Sequence, residues 1–595
     1  MPQPNSSFAT VAKAPNPDRD IRVARAAEYP KQYWYLLASF IALVSLCRIL
    51  SLVYAYTRRS RERSIAWRLS STVVNAFRII VFRLTVPVGR SHIVNLAEIF
   101  LGVMYLTAML TWTLINTTNT MGLKFDPMYW ANRAATMAAS QFPLLVALGM
   151  KNNIISFLTG VSFEKDSSKS TLCGFRTFLT FRQIKLGLDK KTISPTLLRE
   201  ERWLQCGILA MTSLTVLSIV SIRPLRSSRY DMFKVVHFVF GTIVLLGAYF
   251  HMQIEAQLGH YVWPAILLWA LDRVLRWCRM LLFAQFSSSD NASIDVLSPN
   301  FMRVTADKPR FFYWSPGQCA YLTIPSVGLV AHPFTISSVD TKSKQDKLIF
   351  LIRVHDGFTR RVLNKVENSR RTRLLLDGPY SSPPVTRGFD GVVLIAGGTG
   401  VAFTLPLLLD LLQQSKQGKH LPCRRILFIW AIRDADHINW ISAPLVDALS
   451  DLPKDLEVSI KIYITGSATR REELSEDWED KDSGTDTPTT DSEKLNCDGI
   501  LTASTVVNVK QGERPDFPSL LHAEMSNVKD GRMGVNVCGP FGLAEGVRSA
   551  LGAPQIGTVM TGQPSIVLHV ETFGMVSVRV YLDITFVDVL FPAVN

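Results

Sequence analysis

Apolar residues gather in six helix-length stretches in the first half of the chain: Tyr35–Tyr56, Ile93–Ile115, Ala134–Met150, Trp203–Ile222, Met232–Ile254 and Gly259–Leu275. A bilayer core needs about 20 apolar residues in helical form, so these six predict membrane spans. After Arg276 the pattern changes to short β-rich runs broken by Pro and Gly, and from Val392 to an alternation of strands and helices. That succession predicts two further domains behind the membrane part. Between Arg470 and Asp498 the chain is acidic and rich in Ser and Thr, the composition of a solvated, disordered insertion.

Composition agrees with a membrane protein. The chain has 595 residues, 48% of them hydrophobic, with a mean hydropathy of +0.17. The formal charge of +15 raises nucleic acid as a partner. The basic residues, however, cluster beside apolar spans, as at Arg58, Arg59, Arg61, Arg63 and Arg68. They are therefore read as topology signals, and nucleic acid is set aside. The basic stretch Arg58 to Arg90 is expected on the cytosolic side, which places the N-terminus outside and makes Asn5 and Asn116 exposed glycosylation sequons. Residues 1–32 are polar and predict a flexible extracellular segment, leaving the first span as its own targeting signal. The eight cysteines are scattered, with no spacing that suggests a disulfide framework or a zinc site.

Candidate chemistry begins with His237 and His251, fourteen positions apart on Met232–Ile254. At about 1.5 Å per residue they are roughly 21 Å apart and nearly on one face, so one imidazole falls near each leaflet. Intramembrane histidines are expensive and point to function, here a ladder of two haems. Helix-packing histidines bonded to neighbouring helices are the plainer alternative.

Five motifs follow in the second half. His332-Pro333-Phe334-Thr335 lies between the strand-like Gln318–Ile324 and Leu348–Arg353, and the latter leads into Gly357-Phe358-Thr359. Taken alone, it reads as a turn between strands. Gly378-Pro379-Tyr380 precedes a buried strand from Val392 that runs into Gly397-Gly398-Thr399-Gly400 and a helix, Leu405–Leu412. Glycines let a backbone approach a pyrophosphate, and a helix N-terminus supplies N–H donors. Further strands, Ile426–Arg433 and Gly534–Pro540, follow, the second ending in Cys538-Gly539-Pro540. A buried free cysteine is more often inert packing than chemistry.

In this order the motifs resemble those of the yeast-type ferric and cupric reductases, relatives of the NADPH oxidases. Ala131-Asn132-Arg133, Lys151-Asn152-Asn153, Arg223-Pro224-Leu225-Arg226 and Trp269-Ala270-Leu271-Asp272-Arg273 extend the likeness into the membrane half, so that it covers roughly residues 130 to 575. The resemblance implies a multi-domain fold: an α-helical membrane bundle, a ferredoxin-reductase-like β-barrel FAD domain and an α/β nucleotide-binding domain. It also implies roles. His332, Pro333, Phe334 and Thr335 would line the flavin, with the Thr335 hydroxyl facing it. Arg353, Gly357 and Thr359 would meet the pyrophosphate. Gly397, Gly398, Thr399 and Gly400 would cradle NADPH, and Cys538, Gly539 and Pro540 would sit beside the nicotinamide. Phe573 would be the terminal aromatic that the nicotinamide displaces, and His237 and His251 would ligate haem iron. Thr335, Cys538 and Phe573 are thus the catalytic candidates.

The chain departs from the resemblance in two places. Relatives have four haem-ligating histidines, two of them on an earlier helix expected between Met150 and Trp203. Residues 151–202 contain no histidine, hold fifteen charged residues and offer no apolar run of spanning length. Six spans would also return the chain to the outside, so a seventh is missing. Either the sequence is a misassembled gene model or it is a diverged member with an incomplete haem b ligand set. His92 and His260, at span ends, are conceivable substitutes, although boundary histidines usually face water. Residues 576–595 form an apolar tail that the resemblance does not account for.

The expected organisation is therefore 1–32 flexible N-terminus, 33–280 membrane domain, 281–385 FAD barrel, 386–575 NADPH domain with the insertion 470–498, and 576–595 tail. The expected activity is a plasma-membrane metalloreductase. It would pass electrons from cytosolic NADPH through FAD and b-type haem to extracellular ferric or cupric chelates. A superoxide-producing NADPH oxidase and a haem-deficient relative that moves no electrons across the bilayer are the alternatives.

Overall fold

The computed structural model describes residues 17–57, 85–88, 92–151, 154–159, 200–221, 230–285, 290–466 and 505–571, with short breaks inside the last two ranges. Most of the basic stretch after Arg58, the acidic insertion, the 576–595 tail, Asn5 and Phe573 lie outside the described residues. The chain divides into two compact units, Met1–Cys47 with Glu98–Asp272 and Arg48–Ala97 with Arg273–Asn595.

The first unit is helical. Its elements are α1 (Pro17–Thr57), α2 (Leu96–Leu114), α3 (Pro127–Ser140), α4 (Phe142–Gly149), α5 (Ile154–Thr159), α6 (Arg202–Val220), α7 (Tyr230–Ala256) and the first half of α8 (Trp263–Gln285). Among the described residues three stretches are long and apolar enough to cross a membrane, Asp18–Leu50, Arg202–Val220 and Met232–Ile254, and Ile99–Leu114 is a shorter apolar helix. The expected single span Ala134–Met150 is two helices that meet at Gln141. Pro143 explains the break: it has no N–H to return to the preceding turn, and its ring clashes with a continuing helix. The expected span from Gly259 opens as a 3-10 turn, Gly259–Tyr261, and α8 then continues to Gln285.

Arg133 joins this unit together. Its buried guanidinium donates to the carbonyls of Trp112, Thr113, Ile115 and Asn116 at the end of α2 and lies 4.1 Å from the Tyr29 ring. The last turn of any helix leaves carbonyls without intrahelical donors, and one planar cation satisfies them here. α6 and α7 cross where small residues permit it: a Cβ on Gly247 would lie 3.1 Å from both the Ala210 Cβ and the Cys206 carbonyl oxygen.

The second unit carries a short antiparallel pair, β1 (Thr85–Val88) with β2 (His92–Asn95), and then two layered domains. The first of these is antiparallel: β3 (Ala292–Ser298), β4 (Phe301–Asp307), β7 (Lys347–Arg353) and β8 (Arg371–Thr372) form one sheet in the order β7-β4-β3-β8. β5 (Cys319–Thr323), β6 (His332–Thr335) and β9 (Leu375–Tyr380) form another in the order β6-β5-β9. Both sheets close on an apolar core that includes Ile294, Met302, Phe350 and Leu376, capped by α9 (Phe358–Val366).

The last domain is a six-stranded parallel sheet. Its strands are β10 (Gly391–Gly397), β11 (Arg425–Ile432), β12 (Glu457–Ile464), β13 (Thr505–Gln511), β14 (Arg532–Cys538) and β15 (Ser565–Glu571), in the spatial order β13-β12-β11-β10-β14-β15. Strands β10 and β11 are nearly continuous hydrophobic runs because both faces are covered, by α10 (Val401–Lys416) and α11 (Ser442–Leu449) on one side and α12 (Phe517–Asn527) and α13 (Phe541–Gly552) on the other. The chain leaves β10 towards β11, then returns to place β14 on its other flank. Strand order therefore reverses between β10 and β14, and ligands of open α/β sheets bind in the crevice at the carboxyl ends of such a pair.

Candidate functional site

Both glycine motifs end at that reversal. β10 runs into Gly397, a 3-10 turn Gly398–Gly400, and α10, while β14 delivers Cys538, Gly539 and Pro540 alongside. The approach is as close as backbones allow. A Cβ on Gly400 would stand 2.1 Å from the Cys538 carbonyl oxygen, and one on Gly539 would stand 3.0 Å from the Gly397 Cα. Gly398 has φ +54, and open space lies where its Cβ would be, so the turn presents bare backbone. Trp430 Nε1 of β11 donates to the Gly398 carbonyl at 2.9 Å and holds the turn from beneath. The α10 N-terminus thus supplies N–H groups and positive dipole beside an unobstructed loop, the requirement for holding a pyrophosphate. The Cys538 side chain has no exposed surface and packs with Val401 and Phe403 in the core.

The barrel meets this crevice within the same unit. β6, which taken alone reads as a turn, is a strand paired with β5 so that Cys319 opposes Thr335 and Leu322 opposes His332. Thr335 is buried, and His332 stacks on Phe358 at 4.2 Å. Just beyond Thr335, Ser337 Oγ donates 3.1 Å to the Ala402 carbonyl in the first turn of α10. Phe403 reaches the barrel at Gly317, where a Cβ would come within 3.0 Å of its ring. Arg353, at the end of β7, is exposed, and Gly357 has φ +94 with nothing where its Cβ would be. Thr359 serves its own loop: its hydroxyl accepts from the His355 N–H at 2.8 Å and donates to the His355 carbonyl at 2.7 Å. Its part is to shape the Arg353–Gly357 loop.

Two features of this region were not found from the sequence. Trp440 stacks on Phe301 of β4 at 3.6 Å and on His437 at 4.1 Å, while Arg303 donates to the Trp440 carbonyl, so the two domains are pinned face to face. Burial lowers the His437 imidazole below the ordinary histidine range; Asp434 and Asp436 oppose this, and Arg353 and Arg433 add to it. The second is a buried ionic knot. Asp377 accepts from Arg276 and Arg279 of α8, both at 2.6 Å, and from the Tyr380 hydroxyl at 2.6 Å. Burial alone would raise the Asp377 carboxyl, but the Tyr380 hydrogen bond and the two guanidiniums outweigh it and hold the group below the usual carboxylate range. Asp377 directly precedes Gly378-Pro379-Tyr380, so the motif itself signalled this position.

The membrane histidines have different surroundings. His251 Nδ1 lies 2.8 Å from the Trp203 carbonyl of α6, which assigns the ring proton to Nδ1 and the lone pair to Nε2. Such an orienting contact suits an iron ligand. Across from it, though, α6 offers Gly207, where a Cβ would fall 2.7 Å from His251 Nδ1. His237 lies 5.2 Å from the Phe233 ring, and His260 is exposed beside Tyr261. Among the described residues no group of three or more His, Cys, Asp and Glu side chains could hold a metal ion. The four-imidazole set implied by the resemblance does not fit the residues present, because residues 151–202, where the resemblance puts the second pair, contain no histidine.

Three family descriptions match the chain in order: "Ferric reductase like transmembrane component" over residues 134–248, "FAD-binding domain" over 286–384 and "Ferric reductase NAD binding domain" over 389–551. Among curated relatives, ferric/cupric reductase transmembrane component 1 of Candida albicans is 23% identical over 71% of this chain and 54% of its own length. Ferric/cupric reductase transmembrane component 2 of Saccharomyces cerevisiae is 25% identical over 71% of this chain and 58% of its own.

The chain belongs to the yeast-type ferric reductase family.

Like its relatives, this ferric reductase family member couples a helical transmembrane region to FAD-binding and NAD-binding domains. It spans little more than half the length of the two relatives named. A solved ferredoxin NADP+ reductase from Neisseria gonorrhoeae, with bound FAD and NADP, also aligns with 47% of this chain and 97% of that one at 13% identity and a TM-score of 0.30.

Proposed function

We propose that this chain is a plasma-membrane metalloreductase that takes hydride from cytosolic NADPH onto FAD and passes the electrons singly to ferric or cupric chelates. The observation that carries this reading is the crevice at Gly400 and Cys538, open at the strand reversal and joined to the β6 strand through Ser337 and Ala402. A nicotinamide held there has a barrel-bound flavin as its neighbour. In this reading His332 to Thr335 line the flavin, and Arg353 and the Gly357 loop take its pyrophosphate. Gly397 to Gly400 hold the NADPH pyrophosphate, and Cys538, Gly539 and Pro540 border the nicotinamide. Phe573 guards the flavin face. FAD supplies the conversion of a two-electron hydride donor into one-electron deliveries.

The domain limits proposed are 33–280, 281–385 and 386–575. Asn116, exposed just after α2, is the glycosylation site proposed on the outer face. Because the haem ligand set is incomplete, no electron-transfer step is routed through haem, and transfer across the bilayer to an extracellular acceptor is not part of this reading.

The test uses the full chain purified in detergent. NADPH is expected to bleach the flavin absorbance in a rapid-mixing experiment, and a ferric chelate to restore it, with NADH at least tenfold less effective. A chain that binds FAD but is not reduced by either nucleotide would refute the reading.

A further inference from the structure

The second half of α8 is inside out for a helix on a water-soluble domain. Arg276 and Arg279 point inward to the buried Asp377. Val274, Trp277 and Leu281, spaced i, i+3 and i+7, form one outward stripe, and Trp277 is 68% exposed. Cations turned inward and apolar groups turned outward are unfavourable in water and favourable in lipid or against another protein surface.

A turn of the barrel is joined to that helix. Phe283, in the last turn of α8, meets Phe312 edge to face at 5.4 Å. On either side of the buried Phe312 stand Phe311 and Tyr313, 64% and 60% exposed. The turn is closed by the Phe312 N–H donating to the Pro309 carbonyl, and Phe311 at its third position has φ +69. That position normally takes Gly or Asn, because a side chain there is strained. A large aromatic held outward in such a backbone needs a compensating contact. The exposed Arg310 lies over the Phe311 ring at 4.9 Å and is the cation offered to the headgroups, whereas Lys308, 5.2 Å from the Tyr313 ring, is buried against Asp340 and Asp346 and braces the turn from within. Aromatic rings beside cations are the composition of the bilayer interface, where apolar bodies enter the acyl boundary and polar ends stay among anionic headgroups.

We propose that the Pro309–Phe312 turn with Tyr313 is a membrane-interface anchor: Phe311 and Tyr313 insert at the headgroup boundary of an anionic leaflet, in continuity with the outward stripe of α8. The anchor does not depend on the reductase reading. It would hold the barrel to the bilayer at a second point besides the covalent connection through α8.

The test is spin-label accessibility in the full chain reconstituted into phosphatidylcholine vesicles with or without phosphatidylserine. Cys47, Cys173, Cys206, Cys278, Cys319 and Cys497 are first replaced by serine, leaving only the buried Cys423 and Cys538. Labels go at F311C and Y313C, and at V506C on the exposed edge strand β13 as a water-facing reference. Oxygen collisions are expected to exceed those of a water-soluble nickel complex several-fold at 311 and 313, more so with phosphatidylserine, and the reverse is expected at 506. Nickel accessibility at 311 and 313 equal to that at 506 would overturn the proposal. So would protection from both reagents with spin–spin broadening that grows with protein concentration, which would mean a second copy covers the turn. In the unsubstituted chain, amide exchange over 310–313 is expected to slow several-fold in phosphatidylserine vesicles relative to phosphatidylcholine. Unchanged exchange would count equally against it.

Discussion

Gly400 and Cys538 meet so closely that even a methyl group on the glycine would lie 2.1 Å from the cysteine's carbonyl oxygen. The contact joins the two strand ends between which sheet order reverses, so the crevice has its shape only while position 400 is bare. Neither partner is the flexible end of a side chain, and backbone cannot step aside cheaply.

Gly400→Ala is therefore expected to separate the two turns and weaken NADPH binding at least tenfold while FAD stays bound in the barrel. Titration calorimetry with NADPH, set beside the flavin absorbance of the same sample, checks both halves. Unchanged nucleotide affinity would mean that the crevice is not the nucleotide site.

The ionic knot makes a pH prediction. The Asp377 carboxyl is held below its ordinary range in the folded chain, so the unfolded state binds the extra proton first as pH falls. The stability it contributes is fully present above the unfolded value of about 3.9 and is lost as pH falls through the folded one. Asp377→Asn should flatten the acid limb of the melting curve. At neutral pH it should cost about 3–5 kcal/mol, because Arg276 and Arg279 remain buried without their counter-charge. Thermal melts across the acid range, wild type against variant, measure both effects.

Trp440→Ala removes a ring stacked 3.6 Å from Phe301 and opens a cavity between domains. A loss of about 3–5 kcal/mol is expected, while Trp440→Phe should recover most of it. If the stack also sets the flavin–nicotinamide distance, flavin bleaching by saturating NADPH slows in Trp440→Ala at unchanged FAD content, which rapid mixing reads directly.

Haem content distinguishes this chain from a relative with four imidazoles. The purified protein is expected to lack the two low-spin, bis-histidine haems of a complete set, as read by reduced-minus-oxidised spectra and electron paramagnetic resonance. His251→Ala should instead lower the melting temperature of the helical unit, since the Nδ1 contact to the Trp203 carbonyl ties α7 to α6.

Much of this architecture was legible because it is local. The run from Val392 into Gly397-Gly398-Thr399-Gly400 shows strand, turn and helix within a dozen residues, and the glycines mark where backbone must be bare. The break at Gln141 was also written in the sequence, in the polar pair Ser140-Gln141 and in Pro143, but the apolar residues on either side made Ala134–Met150 read as one span. Thr359 was expected to meet the pyrophosphate, and in the structure its hydroxyl bonds the backbone of His355. The Phe301–Trp440 stack joins residues from different domains, and no periodicity in either segment predicts it. Asp377 stands beside the Gly378-Pro379-Tyr380 motif, but nothing in the sequence tied Arg276 and Arg279 to it, and tertiary packing supplies that link.

The sheet order has a further consequence, in the timing of assembly. Gly391 of β10 pairs with Met533 of β14, and the strands between them fill the other side of the sheet. During synthesis the membrane helices, the barrel and one wing of the parallel sheet emerge before β14 exists. Pairing so distant in sequence forms late and slowly. Until then β10 has an open edge, so a ribosome stalled before Arg532 would hold a nascent chain with every barrel strand, four of the six strands of the parallel sheet and no nucleotide crevice.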